Sequence, residues 1–375
     1  MGASLESEKL MIEYLRQTKF ADIKLSQLLR PLAVIIPLAI AGNIIYILAA
    51  SKPDIIRSLG NYNIIYLALA LILVLIPWLA HAGRIILWSR AFTRKMTPGQ
   101  ALQTVMANDV GSAVTPTAIG GGYVKLAFLI KNGFLPGEAA LVTLLGTFED
   151  AAFFAIAVPL SILWTRAWNN AGVRIALDNL ISYWPILIVA VVALLAIYAF
   201  FKKAGMRRAG RDISRDAEIK LGIVARFKVK LREFKNEFLA AFDFVMSKGK
   251  VTFGLCVLLA GFGWCCRYGA ISALVVGLGY EADPVLLFLL QWIVFTTMTL
   301  VPSPGAVGGA EVSFAIVFNG IVPPGIVPLL TGAWRFLTFY LIVGLGAFYL
   351  MLVNMRSEQS RSDNAKITLP EEIKI

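Results

Sequence analysis

Stretches of this chain run about twenty residues or more without a lysine, arginine, aspartate or glutamate, among them Pro31 to Ser51, Ser58 to Gly83, Asn179 to Phe201, Val312 to Trp334 and Phe336 to Met355. At ~1.5 Å rise per residue a helix of that length spans the ~30 Å hydrocarbon core of a bilayer. Backbone amides can enter hydrocarbon only when paired within a helix or a closed barrel, and these runs lack the alternation of a barrel strand. A content of 58% hydrophobic and 15% charged residues, with mean hydropathy +0.75, excludes a soluble domain and a disordered chain. The chain is read as an integral, all-α membrane protein.

Between two apolar segments stands "VTPTAIGGGYVK", Val114 to Lys125. A proline and three consecutive glycines do not make a plain lipid-facing helix, because they leave backbone groups unpaired where lipid penalises them. A second stretch, "VPSPGAVGGAEVSF", Val301 to Phe314, repeats the pattern at an offset of 188: Pro304 falls on Pro116, Ala306 on Ala118, Gly308 and Gly309 on Gly120 and Gly121, and Val312 on Val124. Ser303 falls on Thr115, and Leu290-Gln291 falls on Leu102-Gln103. A gapless match on both sides of a loop signals an internal repeat.

Loop charges supply the orientation. Fourteen of the 35 basic residues lie between Lys202 and Lys250 against six acidic ones, a local charge of 14 − 6 = +8. The positive-inside rule puts this segment, and the Arg84 to Gln100 loop with Arg84, Arg90, Arg94 and Lys95, in the cytoplasm. The net charge of +12 therefore speaks for membrane orientation and against a nucleic-acid partner. Two spans connect the basic segments, so the first repeat enters and leaves on the cytoplasmic face as a re-entrant hairpin. The second dips in from the opposite side, near Glu281 and Asp283. The expected fold has about six full spans plus two re-entrant helical hairpins, about eight membrane segments, arranged as an inverted repeat. A cytoplasmic segment 1–30 precedes one transmembrane domain, 31–355. Its halves, about 62–165 and 251–351, are joined by the basic segment 202–250, and a cytoplasmic tail 356–375 follows. Met1 to Gln27 has no apolar core, and no cleaved signal is expected.

Phe227, Leu231, Phe234, Phe238, Phe242 and Val245 recur every three or four residues, one apolar face of a helix opposite Lys228, Lys230, Arg232 and Lys235. It is either an interfacial helix on anionic lipid or a connecting helix with a solvated face. Cys256, Cys265 and Cys266 lack metal-ligand spacing and read as packing residues. Trp88, Trp164, Trp168 and Trp184 read as interfacial belt residues, and His81 as an interfacial anchor.

Asp109, Lys125, Glu149, Asp150, Arg267, Glu311 and Arg335 fall inside the apolar segments. Ionisable groups at that depth pair with one another or face a hydrated cavity. Lys125 and Glu311 follow the two glycine pairs, where a helix N-terminus favours an anion. Lys125 is a candidate for a headgroup phosphate, and Glu311 for a cation or headgroup amine. The alternative is structural pairing of Lys125 with Glu311, or of either with Arg335. Asn108 is a candidate for bonding the hairpin backbone or a substrate.

At "TPTAIGGGYVKLAFLIKNG", Thr115 to Gly133, and "PSPGAVGGAE", Pro302 to Glu311, the sequence resembles the flippase-like transmembrane family that includes the membrane region of lysylphosphatidylglycerol synthases. The resemblance covers about Leu32 to Met351. It implies a multi-span helical protein that moves a lipid between leaflets, with the loop residues near the path. By position, Pro116, Gly120, Gly121 and Lys125 match the first motif, and Pro302, Pro304, Gly305, Gly308, Gly309 and Glu311 the second. Arg335 stands where a basic residue is often found in the following span. Many members have Gly-Glu and then arginine in the first loop, where this chain has Gly121-Gly122 and Lys125. Full-length synthases carry a soluble aminoacyl-transfer domain, and 375 − 355 = 20 residues follow Met355 here.

The expected function is movement of a phospholipid, aminoacylated lipid or lipid-linked glycan between leaflets of the cell membrane, through a polar path between the hairpins. The alternatives are an ion-coupled small-solute transporter and an intramembrane transferase, for which Glu149, Asp150 and His81 are the acid/base candidates. No catalytic residue, metal site or cofactor is expected. The expected partners are membrane lipids with anionic or glycosylated headgroups.

Overall fold

The computed structural model describes residues 62–115, 119–169, 223–299 and 301–367, apart from 302, 320 and 324, and seven residues between 37 and 47. The proposed spans Pro31 to Ser51 and Asn179 to Phe201, Trp184, Pro116 and Pro302 lie largely or wholly outside the described residues. The described chain is all-helical apart from turns and one isolated bridge, Asn319 with Val322.

The first half runs long, short, short, long: α1 (Ile64–Ala91), α2 (Pro98–Val114), α3 (Ile119–Lys131) and α4 (Pro136–Thr165). After a 3-10 turn and α5 (Ile223–Ser247), the order recurs: α6 (Lys250–Gly277), α7 (Pro284–Met298), α8 (Gly309–Phe318), then α9 (Val327–Arg335), which continues through a π-helical turn (Phe336–Tyr340) into α10 (Leu341–Ile367). Among the described residues four helices are long and apolar enough to cross a membrane: α1, α4, α6 and Val327–Val353. Their outer faces expose Leu79, Leu160, Leu163, Leu258 and Phe348, which suits lipid.

Local sequence sets the helix starts. Asn63 accepts from the Ile65 amide (3.1 Å), Thr97 and Gln100 form a reciprocal capping box, and Asp283 accepts from the Val285 and Leu286 amides. Pro98, Pro136 and Pro284 each occupy a first helical position, where a missing N–H costs nothing.

The long helices α1 and α6 are antiparallel. The Asn63 amide at the start of α1 donates to the Gly277 carbonyl at the end of α6 (3.1 Å), and Trp88 near the end of α1 lies beside Gly249, just before α6. Gly263 allows the close approach, since a Cβ there would lie 3.3 Å from Ala80 and 3.6 Å from the Pro77 backbone.

Helices α2 and α3 fold back on each other. A Cβ on Gly121 would fall 1.9 Å from Ser112 Oγ and 2.6 Å from the Asn108 carbonyl, so only glycine admits this contact. The pair also returns to the end where it started: Arg94, before α2, donates to both carboxylate oxygens of Glu138, after α3 (2.9 and 3.0 Å). At 17, 13, 15 and 10 residues, α2, α3, α7 and α8 are about 25, 20, 22 and 15 Å long, short of a ~30 Å core.

Two boundaries and one side chain differ from the sequence reading. The first run does not end at Gly83: α1 continues to Ala91, so Arg84 and Arg90 belong to a helix, not to a loop. The run Val312 to Trp334 is not one span. It breaks between Asn319 and Ile326, where Pro323 and Gly325 interrupt helical pairing, and the span that follows, Val327–Val353, contains Arg335, as expected of a charge read inside the apolar segments. Trp88 is buried inside the protein at 1% exposure, although Trp164 and Trp168 are exposed as belt residues would be.

The apolar face of α5 docks in its second half. Val245 is buried and Phe238 and Phe242 pack on the core, whereas Leu231 and Phe234 are exposed. Glu237 accepts from the Gly137 amide (2.9 Å) in the first turn of α4, a favourable place for a carboxylate. Burial outweighs this bond and raises the Glu237 carboxyl above its usual range.

Candidate functional site

A polar cluster lies where α1, α2, α3, α4 and α6 meet. Its centre is Arg84, buried on α1, a residue that the loop-charge argument places outside the spans. Arg84 donates from Nε to Glu149 (2.6 Å), from Nη1 to Asp150 (2.9 Å) and from Nη2 to the Gly146 carbonyl (2.7 Å). The adjacent carboxylates of α4 thus act on one guanidinium despite their different directions. Glu149, 1% exposed, also accepts from Trp88 Nε1 (2.6 Å). Gly146 lets both cations approach α4, since a Cβ there would lie 3.2 Å from Lys125 Nζ and 3.4 Å from Arg84 Nη2.

Lys125 is buried, and its ammonium lies 3.1 Å from His81 Nε2. His81 is therefore part of this cluster rather than an interfacial anchor. Asp109 on α2 accepts from Trp78 Nε1 (2.8 Å) and from Asn108 Nδ2 (3.1 Å). Arg267 on α6 reaches the Thr338 carbonyl (3.4 Å) and lies over the rings of Trp264 and Phe295 at 5.8 and 5.3 Å. No carboxylate forms an ion pair with it among the described residues.

These groups border a cavity of about 80 Å³ lined by His81, Arg84, Asp109, Asp150 and Arg267 together with Pro77, Trp78 and the Gly263 face of α6. A smaller space of about 10 Å³ continues past Asp109 and Arg267 to Thr338. Polar space of this kind beside apolar, lipid-suited surfaces is where ionisable side chains are tolerated at membrane depth.

The second glycine loop is built differently. Glu311 accepts from the Gly308 amide (2.8 Å) and from Arg335 Nε (3.1 Å), and Arg335 Nη2 donates to the Gly305 carbonyl. Arg335 is 1% exposed and covers the Phe339 ring at 4.3 Å. Gly305 (φ +61°) and Gly308 (φ +85°) adopt the left-handed backbone that glycine permits. Gly309 packs against Val301, Ser303 donates to the Val307 carbonyl (3.1 Å), and Pro304 is partly buried. In the first loop Thr115 Oγ1 donates to the Gly111 carbonyl and accepts from the Gly120 amide.

Of the pairings left open by sequence, Glu311 with Arg335 forms, and Lys125 lies with His81 in the other cluster. Asn108, Asp109, Lys125, Glu149, Asp150 and Arg267 come together; Gly305, Gly308, Glu311 and Arg335 form a separate set bonded to one another, with Ser303 bonded to Val307 in the same loop. Sequence reasoning misses Arg84, Trp78 and Trp88 as members of the site. A signal for the region is present: Trp78, His81 and Gly83 recur as Trp264, Arg267 and Gly269 at an offset of 186, which marks both faces of the cavity. Among the described residues no three His, Cys, Asp or Glu side chains gather as metal ligands.

The chain matches the Lysylphosphatidylglycerol synthase TM region family over residues 34–346. It is also similar to a UPF0104 membrane protein of Archaeoglobus fulgidus, 26% identical over 294 residues, which is 76% of this chain and 85% of that protein. The matched region includes both glycine loops and every residue of the polar cluster, and on that extent the chain belongs to the Lysylphosphatidylglycerol synthase TM region family.

Proposed function

We propose that this protein moves a lipid between leaflets, its headgroup passing through the cavity between α1 and α6 while the acyl chains stay in lipid. The observation that carries this is the water-sized polar space at membrane depth, bordered by both signs of charge. Arg267, without a carboxylate partner among the described residues, is the group for a headgroup anion, and Asp109 and Asp150 suit a headgroup amine. Transport needs no bond made or broken, so the cluster serves recognition and not catalysis.

In the same proposal the chain has six spans with two re-entrant hairpins in the cell membrane, its termini and the 202–250 segment in the cytoplasm. Support comes from the short α2/α3 and α7/α8 pairs and from the Arg94–Glu138 pair closing the first hairpin. The halves start α1, α2, α3, α4 and α6, α7, α8, α9 at separations of 186, 186, 190 and 191 residues. The antiparallel course of α1 and α6 supports an inverted relation between them. Cysteines at Gly99 and Asn132, in a cysteine-free background, are expected to react with an impermeant reagent from one side of the membrane; reaction from opposite sides refutes re-entrance.

Transport is tested in proteoliposomes with fluorescent phospholipids. Arg267→Ala is expected to slow leaflet exchange at least about tenfold while leaving thermal stability in detergent close to wild type, as its only hydrogen bond among the described residues is a long one to a carbonyl. Full exchange by a stable Arg267→Ala protein removes the proposed path. One second reading, an ion-coupled solute transporter, draws on the charges of both signs that border this buried polar space. Solute uptake with no lipid exchange would decide for it.

A further inference from the structure

We propose that the His81–Lys125 pair binds a proton together with the anionic group of the headgroup, so that each lipid moved carries a proton with it. This rests on the cavity being the headgroup path and supplies what that path lacks, an energy source.

The geometry allows the pair one shared proton. An ammonium only donates, so a Lys125 ammonium 3.1 Å from His81 Nε2 requires the tautomer with its lone pair on Nε2 and its proton on Nδ1. A second proton on Nε2 turns the acceptor into a donor facing donors, and two cations then oppose each other. The contact opens and frees the Lys125 ammonium.

The charge balance around the pair then selects an anion. The ionisable groups around the pair are Arg84 from the helix of His81, Asp109 from α2, Glu149 and Asp150 from α4, and Arg267 from α6, which also brings the Cys256 thiol to 3.9 Å from the Arg84 carbonyl. With His81 neutral, Arg84, Lys125 and Arg267 balance Asp109, Glu149 and Asp150. The cluster then has no excess charge with which to draw in an anion. One proton on His81 leaves it at +1, and an anion restores neutrality. Protons can reach the site, since His81 lines the cavity, and a water occupies ~30 Å³. By linkage, whatever favours the anion favours the proton to the same degree.

The test uses the full chain in neutral detergent. Short-chain phosphatidylglycerol is titrated in by calorimetry in two buffers of different ionisation enthalpy, which counts protons taken up on binding; phosphatidylcholine is the control. Wild type is expected to take up close to one proton per phosphatidylglycerol and none with phosphatidylcholine. His81→Gln, whose amide oxygen can still accept from Lys125 but does not titrate, is expected to take up none. Lys125→Gln, which removes the opposing cation, is a second variant should the first not fold, with the same result expected.

In proteoliposomes a gradient of one pH unit is expected to drive labelled phosphatidylglycerol to about a tenfold leaflet ratio in wild type, as one proton per lipid requires. Binding without proton uptake, or wild-type uptake in His81→Gln or Lys125→Gln, overturns the coupling while leaving the headgroup path standing. Failure of phosphatidylglycerol to bind overturns both.

Discussion

Glu149 and Asp150 are neighbours on one helix and bind one arginine, yet their replacement is expected to cost very different amounts. Glu149 is 1% exposed and accepts two bonds of 2.6 Å, from Arg84 Nε and Trp88 Nε1. The Asp150 side chain is 31% exposed beside the cavity and accepts one bond of 2.9 Å. Breaking a fully buried ion pair from one side costs ~3–5 kcal/mol, because the remaining charge stays out of water. A partly solvated pair is worth less than about 1 kcal/mol. Glu149→Gln, which keeps an oxygen for Trp88, is therefore expected to destabilise by about 3 kcal/mol, and Asp150→Asn by less than about 1 kcal/mol. Adding Arg84→Met to Glu149→Gln removes the stranded cation and is expected to bring the loss below about 2 kcal/mol. Unfolding by sodium dodecyl sulfate in mixed micelles, followed by tryptophan fluorescence, gives these three values and that of Arg84→Met alone. Equal costs for Glu149→Gln and Asp150→Asn, or a double variant as costly as the sum of its parts, would refute burial as the deciding factor.

Gly121→Ala is expected to destabilise by at least about 2 kcal/mol, since its Cβ meets the Asn108 carbonyl at 2.6 Å and overpacked backbone must move apart. Gly308→Ala faces open space and only the left-handed backbone, at about 1 kcal/mol; thermal melting in detergent ranks the two. Glu311→Ala is expected to strand Arg335 and cost ~3–5 kcal/mol. Exchanging Lys125 and Glu311 is expected to rescue neither, because their partners are His81 and Arg335, and melting of the exchanged variant checks this. Because burial raises the Glu237 carboxyl in the folded chain, the folded state binds the proton more tightly. The contribution of this group to stability is then full below the ordinary carboxylate range and is lost as pH rises through the raised value; Glu237→Gln is expected to remove that dependence in pH-resolved melting.

How much of the fold and site is legible in the sequence depends on where each charge stands. Uninterrupted apolar runs identify membrane helices, because a bilayer leaves few other ways to pair a backbone. The glycine repeat identifies the helix pairs, because a Cβ at Gly121 cannot fit. Arg84 stays hidden when a charge is read as the end of a span, although Ile85, Ile86, Leu87 and Trp88 continue the apolar pattern beyond it. Arg335, by contrast, is legible as a charge inside a span, because apolar residues continue on both sides of it. Both arginines are exceptions because carboxylates and carbonyls from other helices surround them, and those partners are distant in sequence: 65 residues for Glu149 and 24 for Glu311. The adjacent pair Glu149-Asp150 gives no hint of acting together, since about 100° of helical rotation separates them and only a long guanidinium spans both.

The two glycine loops resemble each other in sequence and differ in what their charges can do. Around the second loop, Glu311 bonds Gly308 and Arg335, and Arg335 bonds Gly305 and covers Phe339. Those bonds hold one loop to the following span, and a ligand would have to break them. Around the first, Lys125 lies beside the His81 ring and not beside a carboxylate, Arg267 has among the described residues one long bond to a carbonyl and two aromatic faces, and His81 and Arg267 line a space large enough for water. Displacing water there costs less than breaking a buried ion pair. Under the proposed headgroup path, the Glu311–Arg335 ion pair that ties the second loop to the following span has no counterpart at Lys125, so the moving part is expected on the α2/α3 side of the cavity and the anchor on the Glu311–Arg335 side. Crosslinking tests that assignment: a cysteine pair joining α2 to α6 across the cavity is expected to stop lipid exchange, whereas one joining α8 to α9 is expected to leave it running. Equal inhibition by both would remove the distinction between the loops.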